Sequence, residues 1–480
     1  MKMSKSGDKI DYSLRIQKSI ERKIFGDIIR TLNYFGSVDS YRYIGFGSFY
    51  FKDFLMFYED FNIHNGISIE IDSDGYVNKR DFIECIQRLY LEVLDRDAPK
   101  IADDIVGTLK LNAQQFTSQD ICSILRLNSK MISEFFIEKI SEYERDLFPN
   151  NRLKGNSEKY YKCLSDINDS ISWILQSNLY EKVKESVFDK VTIDERAEVL
   201  STAKIEELVV EPSKYIVVDK NILQREVQKI LTNRFVFNKP YGFIELTFGE
   251  LSKAIDSIDW SEEQKNIIWI DYDEFIDGTQ LLGLEKCILN SSRGDLILFS
   301  TSMGSNADDR FDSLNELKNT TNRIVGKVLK KECDDRFIYR PIRKMVSNTI
   351  KAALAKKNAA RPNGVPAYNI TNVLECTYSD GMPMYTYGII VHYRKDKETN
   401  RQFPVNYLKD KKWFPKEDEC YKIYVPALTH KEINAINQLL PTTNLEVLYE
   451  KFPFINKSII KKYVEIWNYY PHFFEVGPFV

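Results

Sequence analysis

The amino-acid sequence predicts an α/β protein on a Rossmann-like, mostly parallel sheet, with a C-terminal antiparallel hairpin, a large all-α insertion and a small C-terminal helical region. Three observations predict it. Short, nearly continuous apolar runs recur along the chain, as strands buried on both faces require. Stretches of helical periodicity separate them. The first run breaks at Gly45 and Gly47 and hands over to a helix, the strand, glycine turn, helix order of nucleotide-type folds.

The elements follow in order. Ile16, Ile20, Ile24, Ile28 and Leu32 form the i, i+4 stripe of an amphipathic helix ending near Gly36. Tyr41 to Ile44 is a strand, the Gly45-Phe46-Gly47-Ser48 turn follows, and Phe51, Phe54, Leu55 and Tyr58 resume helical spacing. Gly66 to Asp72 is the second strand, with Glu70 near its C-terminal end. From Tyr76 to Phe237 only Gly107 and Gly155 interrupt Lys-, Glu-, Leu- and Ile-rich sequence, which predicts the helical insertion. Strands return at Gly242 to Phe248, Asn266 to Asp271 and Asp295 to Ser300. Asn372 to Thr377 and Met384 to Tyr393 flank an Asp380-Gly381 turn, so a hairpin is expected to close the sheet. Leu428 to Leu440 and Ser458 to Tyr469 read as helices. The domains expected are 1–75 and 233–400 for the two halves of the Rossmann-like body, 76–232 for the insertion and 401–480 for the helical end.

Composition narrows the function. The 480 residues are 43% hydrophobic and 29% charged, ordinary for a globular chain, and the net charge of -3 excludes a globally basic nucleic-acid binder. No apolar run reaches the length of a membrane span and no signal peptide is visible, so a cytoplasmic protein with no membrane partner is expected. The seven cysteines form no C-x-x-C pair, and the four histidines are not spaced with a His, Cys or acid as zinc requires; no metal is expected.

The candidate chemistry lies at strand ends, where open α/β sheets bind ligands. A glycine turn lets a ligand approach the backbone, and Glu70 stands 23 residues after Gly47, where dinucleotide-type folds place an acid for ribose hydroxyls. Gly249 and Glu250 follow the third core strand, and Asp271-Tyr272-Asp273 the fourth. The bland alternative is that these acids and glycines only form turns and cap helices. One segment, Lys327 to Arg361, carries eleven Lys and Arg against three acids: either a solvated helix face or a surface for nucleic-acid phosphates. The aromatic run Trp467 to Phe474 reads as packing of a terminal helix.

The stretches Tyr43–Phe54, Ile67–Glu70, Asn233–Tyr241, Ile268–Asp273 and Tyr378–Met384 resemble the bacterial Putative O-methyltransferase family, a branch of the class I methyltransferases, over about residues 12–75 and 233–475. That resemblance implies a Rossmann-like fold, S-adenosylmethionine as cofactor, and an acceptor the sequence does not name. It implies that Gly45, Phe46, Gly47 and Ser48 flank the methionine and ribose, that Glu70 holds the ribose hydroxyls, that Glu250 lies beside the adenine, and that Asp271 borders the methyl-transfer pocket. Class I enzymes usually carry an acid two positions before the first glycine and a third loop glycine; this chain has Tyr43 and Phe49. The fourth strand lacks the Pro-Pro that follows Asp or Asn in base N-methylating enzymes, which disfavours that chemistry. Methyl transfer to oxygen needs alignment and a base. Asp271 or Asp273 would serve as that base, and the sequence does not choose between them. Two other readings stand beside the enzyme: a degenerate sheet that senses a nucleotide or S-adenosylmethionine and signals to a protein partner through the insertion, and a nucleic-acid binder using Lys327 to Arg361.

Overall fold

A computed structural model describes residues 15–47, 50–70, 77–108, 129–148, 153, 158–167 and 220–471, less 262, 305, 321–327, 400–402, 418 and 443, with isolated positions 119, 123 and 169. Of the expected site residues, Ser48 lies outside this set, as do Lys327 of the basic segment and the end of the aromatic C-terminal run.

The chain separates into two compact units, one made chiefly of residues 72–238, the other of residues 7–71 and 239–480. The first is helical among its described residues, with helices Lys79–Thr108, Ser129–Glu142 and Lys220–Asn238. Its own core includes Phe82 against Phe148 and Tyr160, with ring centroids 5.5 and 6.0 Å apart.

The second unit is an α/β body. Its strands are β1 (Arg42–Gly45), β2 (Gly66–Glu70), β3 (Ile244–Phe248), β4 (Asn266–Phe275), β5 (Leu296–Ser302), β6 (Tyr368–Ser379), β7 (Pro383–Tyr393) and β8 (Tyr421–Lys422). They form one sheet in the order β3-β2-β1-β4-β5-β7-β6-β8. Strands β3 to β5 are mutually parallel, and β7 runs antiparallel to both β5 and β6. Sequence order reverses between β1 and β4, the switch point beside which such sheets open a crevice at their C-terminal ends.

The hairpin does not end the sheet as expected. β7 lies against β5, β6 lies outside it, and β8 adds a parallel pair beyond β6. The 22-residue helix Tyr339–Ala360 precedes β6, and the turn after β6 returns the chain as β7 beside β5.

Helices α1 (Ile16–Thr31) and α2 (Lys52–Phe61) cover one face of the sheet. The Phe25 ring meets Trp269 edge-on at 4.7 Å, and Tyr43 meets Phe54 and Phe57 at 4.6 and 4.1 Å. Alternate strand residues, among them Ile44, Ile268, Ile270, Ile297 and Phe299, face the other way into a large apolar cluster. Three more helices cover that side: α3 (Leu251–Ser257), α4 (Gly278–Asn290) and α6, the Tyr339–Ala360 helix, with α5 (Ala307–Thr320) after β5. Each such side chain contributes about 1.5–3 kcal/mol on burial, so the two packed faces fix the strand ends that the crevice needs.

Candidate functional site

Phe51 donates its backbone N–H to the Gly47 carbonyl at 2.9 Å and adopts a left-handed conformation, φ 48°, rare for a bulky side chain. Such strain persists only where the surroundings impose it, and it gathers at functional sites. Here the Phe51 ring is wholly buried.

The two glycines of the turn exist for different contacts. A Cβ on Gly47 would lie 2.4 Å from Ser68 Oγ and 2.7 Å from the Phe51 ring; one on Gly45 would lie 2.3 Å from the Tyr43 hydroxyl and 3.0 Å from the Trp269 carbonyl. The phenol standing where an acid is usual thus lies across the first glycine. Burial pushes that phenol's pKa well up, and the nearby Asp53 and Asp271 add to the effect, so it stays neutral. Phe46, between the glycines, packs its ring against Tyr272 at 5.3 Å.

Glu70 ends β2, almost fully buried, and reaches back to this turn. The Gly47 N–H donates to its Oε1 at 3.1 Å and to Ser68 Oγ at 3.0 Å, and the Ser68 hydroxyl donates to the same carboxylate oxygen at 2.7 Å. Hydrogen bonds contribute about 0.5–1.5 kcal/mol each, and this network of three ties the turn to the end of β2. Beside Glu70, Gly249 donates its N–H to the Glu70 carbonyl at 3.0 Å, with φ 135° and open space where a Cβ would stand. Glu250 is next, at the N-terminus of α3, its half-exposed carboxylate 3.2 Å from Lys253.

Across the switch point β4 carries Asp271 beyond Trp269, on the face that α1 covers. Lys18 of α1, only 3% exposed, brings its ammonium to 2.9 Å from Asp271 Oδ2, 2.9 Å from Glu21 Oε2 and 2.9 Å from the Tyr378 hydroxyl. The same ammonium lies over the Trp269 ring, 4.3 Å from its centroid. Burial alone would lower the Lys18 pKa, but Asp271 and Glu21 outweigh it and hold it above the ordinary lysine value. Lys18 is therefore a fixed cation. Asp271 keeps one oxygen, Oδ1, buried and without a hydrogen-bond partner. Behind Glu21 a hydroxyl chain runs into the sheet: Thr386 donates to Glu21, Ser300 lies 2.9 Å from Thr386, and the Trp269 indole donates to Ser300 at 3.1 Å.

The helix α1 is pinned by the β6–β7 turn. Asp380 accepts the Lys18 backbone N–H at 2.7 Å, and the Gln17 side chain both donates to the Ser379 carbonyl and accepts its N–H, at 3.2 and 3.0 Å. Asp273 stands at the exposed end of β4; the surrounding protein, with Asp271 next in effect, pushes its carboxyl up. Of the two aspartates only Asp271 joins the cluster.

The structure thus brings Gly47 and Glu70 together, with Gly249 and Glu250 following at the next strand end, and sets Asp271 in a cluster that sequence reasoning missed: Lys18, Glu21 and Tyr378. The signal for the first two was a Lys–Glu pair at i, i+3; nothing in the periodicity says that α1 is buried on nearly all sides.

Part of the basic segment is paired within the fold. Arg343 pairs with Glu375, Lys356 with Glu285 at 2.6 Å and Lys330 with Asp308 at 2.7 Å, while Lys357 donates to the Leu289 carbonyl. Among the described residues no cluster of His, Cys, Asp and Glu is placed to hold a metal ion, and no helix is long and apolar enough to cross a membrane.

A family profile described as Putative O-methyltransferase matches residues 10–88 and 220–478, over two thirds of the chain, leaving out most of the helical unit. No curated protein and no solved structure gave a match.

Proposed function

The chain belongs to the Putative O-methyltransferase family and is thereby a methyltransferase, and from that premise we propose that it moves a methyl group from S-adenosylmethionine to a hydroxyl oxygen in the crevice between β1 and β4. The observation that carries this reading is Asp271: one oxygen committed to the Lys18 ammonium, the other buried with no partner at the end of β4.

The residues fit an adenosyl ligand. Glu70, the acid at the end of β2, is the residue to hold ribose hydroxyls, with Gly45, Phe46, Gly47 and Ser48 as the turn along which the methionine and ribose lie. The bare backbone of Gly249 leaves room at the next strand end, and Glu250 beside it is the acceptor for the adenine amino group. When bound, S-adenosylmethionine supplies an electrophilic methyl carbon on a sulfonium.

The protein's own part is to present the acceptor oxygen and take its proton. Asp271 Oδ1 accepts the proton of the acceptor hydroxyl, a task that needs a base within hydrogen-bond reach. The Lys18 ammonium, held over Trp269 and kept charged by its neighbours, stabilises the negative charge that builds on that oxygen. Asp273, at the exposed end of the same strand, is the second candidate base.

The test combines binding with transfer. Isothermal titration with S-adenosylhomocysteine should give binding that Glu70→Ala weakens at least tenfold, and mass spectrometry after incubation with cell extract and deuteromethyl-labelled S-adenosylmethionine should find labelled acceptor. Asp271→Asn should retain binding and lose labelling. Absence of binding in the unaltered protein would end the proposal. The Tyr43 phenol across Gly45 favours a second reading, a sensor that binds the ligand without turnover; binding with no labelled acceptor in any extract would establish it.

A further inference from the structure

The ion pairs of the basic segment leave some of its cations over. Lys331, Arg336, Arg340, Lys344 and Lys351 are exposed, and none forms an ion pair with a described residue. The three acids of the segment do little to offset them. Asp335 binds Arg310 at 2.6 Å and Glu332 accepts the backbone N–H of Leu329 at 2.9 Å, which leaves Asp334. In a chain of net charge -3 this is a local surplus of cations.

These cations lie toward the edge of the sheet where the crevice opens. Arg310, after β5, donates to the carbonyls of Gly304 and Cys333 at 2.8 and 3.0 Å, which ties the turn Lys330–Cys333 to the C-terminal end of β5. From there α6 runs antiparallel to β6. Near the start of α6, Arg343 pairs with Glu375 late in β6; near its end, Asn358 donates to the carbonyl of Tyr368, the first residue of β6. β6 is parallel to β5, since both run antiparallel to β7. Lys331, Arg336, Arg340 and Lys344 therefore stand toward the strand ends that also carry Glu70 and Asp271, with Lys351 farther down the helix. Arg340 and Lys344 are one turn apart, about 6 Å along the axis. The Phe337 ring, 38% exposed, lies 4.8 Å from the Arg340 guanidinium.

Resting on the O-methyl reading above, we propose that this stripe binds the phosphates of a single-stranded RNA and that the acceptor is a ribose hydroxyl of that strand. A backbone of repeated anions fits cations held in a row by a helix, and such contacts need no particular base sequence. An exposed aromatic ring beside the row adds a face on which a base stacks, as in single-strand binders. RNA also carries, beside each phosphate, the 2′-hydroxyl that oxygen methylation needs and that DNA lacks. A lipid surface offers anions but no base to stack on Phe337. The transfer step is unchanged: the S–CH3 bond of the sulfonium breaks as the O–CH3 bond forms, the hydroxyl proton passes to Asp271, and the neutral thioether leaves.

Fluorescence anisotropy of the full chain with a labelled single-stranded RNA of mixed sequence tests the surface without any donor. With about four cations on phosphates, affinity should fall with a log–log salt slope of about -2.8, or about fiftyfold between about 50 and 200 mM salt. Arg336→Gln/Arg340→Gln/Lys344→Gln should weaken binding about tenfold or more at about 50 mM salt and cut the salt effect to about threefold. Lys457→Gln/Lys461→Gln/Lys462→Gln, which removes the same charge from the exposed side of the helix Lys457–Ile466, should bind as the parent does. Both triple variants should keep the parent's unfolding midpoint, since every replaced side chain is exposed. No RNA binding at about 50 mM salt overturns the proposal, as does equal loss in the two triple variants, or binding to phosphatidylserine vesicles in place of RNA. RNA that binds but stays unlabelled, while methyl-labelled S-adenosylmethionine marks another compound of the cell extract, overturns the acceptor assignment. If S-adenosylhomocysteine does not bind and the RNA result holds, the methyl-transfer reading falls and the RNA surface stands.

Discussion

Gly47→Ala tests whether the turn after β1 is as tightly built as the contacts require. The new Cβ would stand 2.4 Å from Ser68 Oγ and 2.7 and 2.9 Å from two atoms of the Phe51 ring, all inside the range that real side chains avoid. Ser68 and Phe51 are both fully buried, so neither moves without disturbing its own packing. Overpacking of that kind costs about 1–3 kcal/mol. Lengthening the Gly47 N–H bonds to Glu70 and Ser68 leaves buried polar groups short of partners, for about another 1–3 kcal/mol. A total loss of about 2–6 kcal/mol is expected. Denaturant unfolding followed by tryptophan fluorescence suits it, because Trp260, Trp269, Trp413 and Trp467 all belong to the sheet unit. Adding Ser68→Ala should recover only part of the loss, since the Phe51 contacts remain. A single variant within about 0.5 kcal/mol of the parent would refute the reasoning, as would full recovery in the double variant.

Three further outcomes are expected. Lys18→Met removes the cation between two buried carboxylates and should destabilise the fold by about 3–5 kcal/mol, with Lys18→Met/Glu21→Gln less unstable than the single variant; strictly additive losses in denaturant unfolding would contradict the cluster. Asp295, fully buried before β5, has its carboxyl pushed up to about 6, chiefly by burial and against hydrogen bonds from Ser292 and Asn266. Its folded value lies above the unfolded one near 3.9, so stability present at lower pH is lost as pH rises through about 6, on the order of 2–3 kcal/mol; Asp295→Asn should flatten that slope between pH 4 and 6, and an unchanged profile would contradict the assignment. Glu250→Ala should leave unfolding within about 0.5 kcal/mol, because the Lys253 pair is exposed, yet weaken S-adenosylhomocysteine binding about tenfold by titration.

The sheet was legible because its evidence is local. Runs such as Ile267 to Ile270 and Leu296 to Phe299 are buried on both faces and show as unbroken apolar sequence, and most bounds differ by a residue or two, with β4 running on to Phe275 and β6 beginning at Tyr368. The place of the hairpin was not legible, since the Asp380-Gly381 turn fixes which strands pair with each other but not which of them meets β5. Gly47 and Glu70 stood out in the sequence because a glycine turn and a strand-end acid have a characteristic spacing, and the hydrogen bond joins them. Gly45 carried the same signal for another cause, the Tyr43 ring. Lys18 and Glu21 were hidden: 253 and 250 residues separate them from Asp271, and a Lys in an amphipathic helix ordinarily faces water. The acids that pair with part of the basic segment were hidden as well, because Glu285, Asp308 and Glu375 lie on other elements.

Ultraviolet cross-linking with S-adenosylmethionine labelled in its methyl group, followed by peptide mapping, tests most directly whether the crevice between β1 and β4 takes the donor. The account predicts label on peptides that contain residues 42–53 or 266–275, suppressed by excess S-adenosylhomocysteine and reduced in Glu70→Ala. Suppressible label confined to peptides elsewhere in the chain would contradict it.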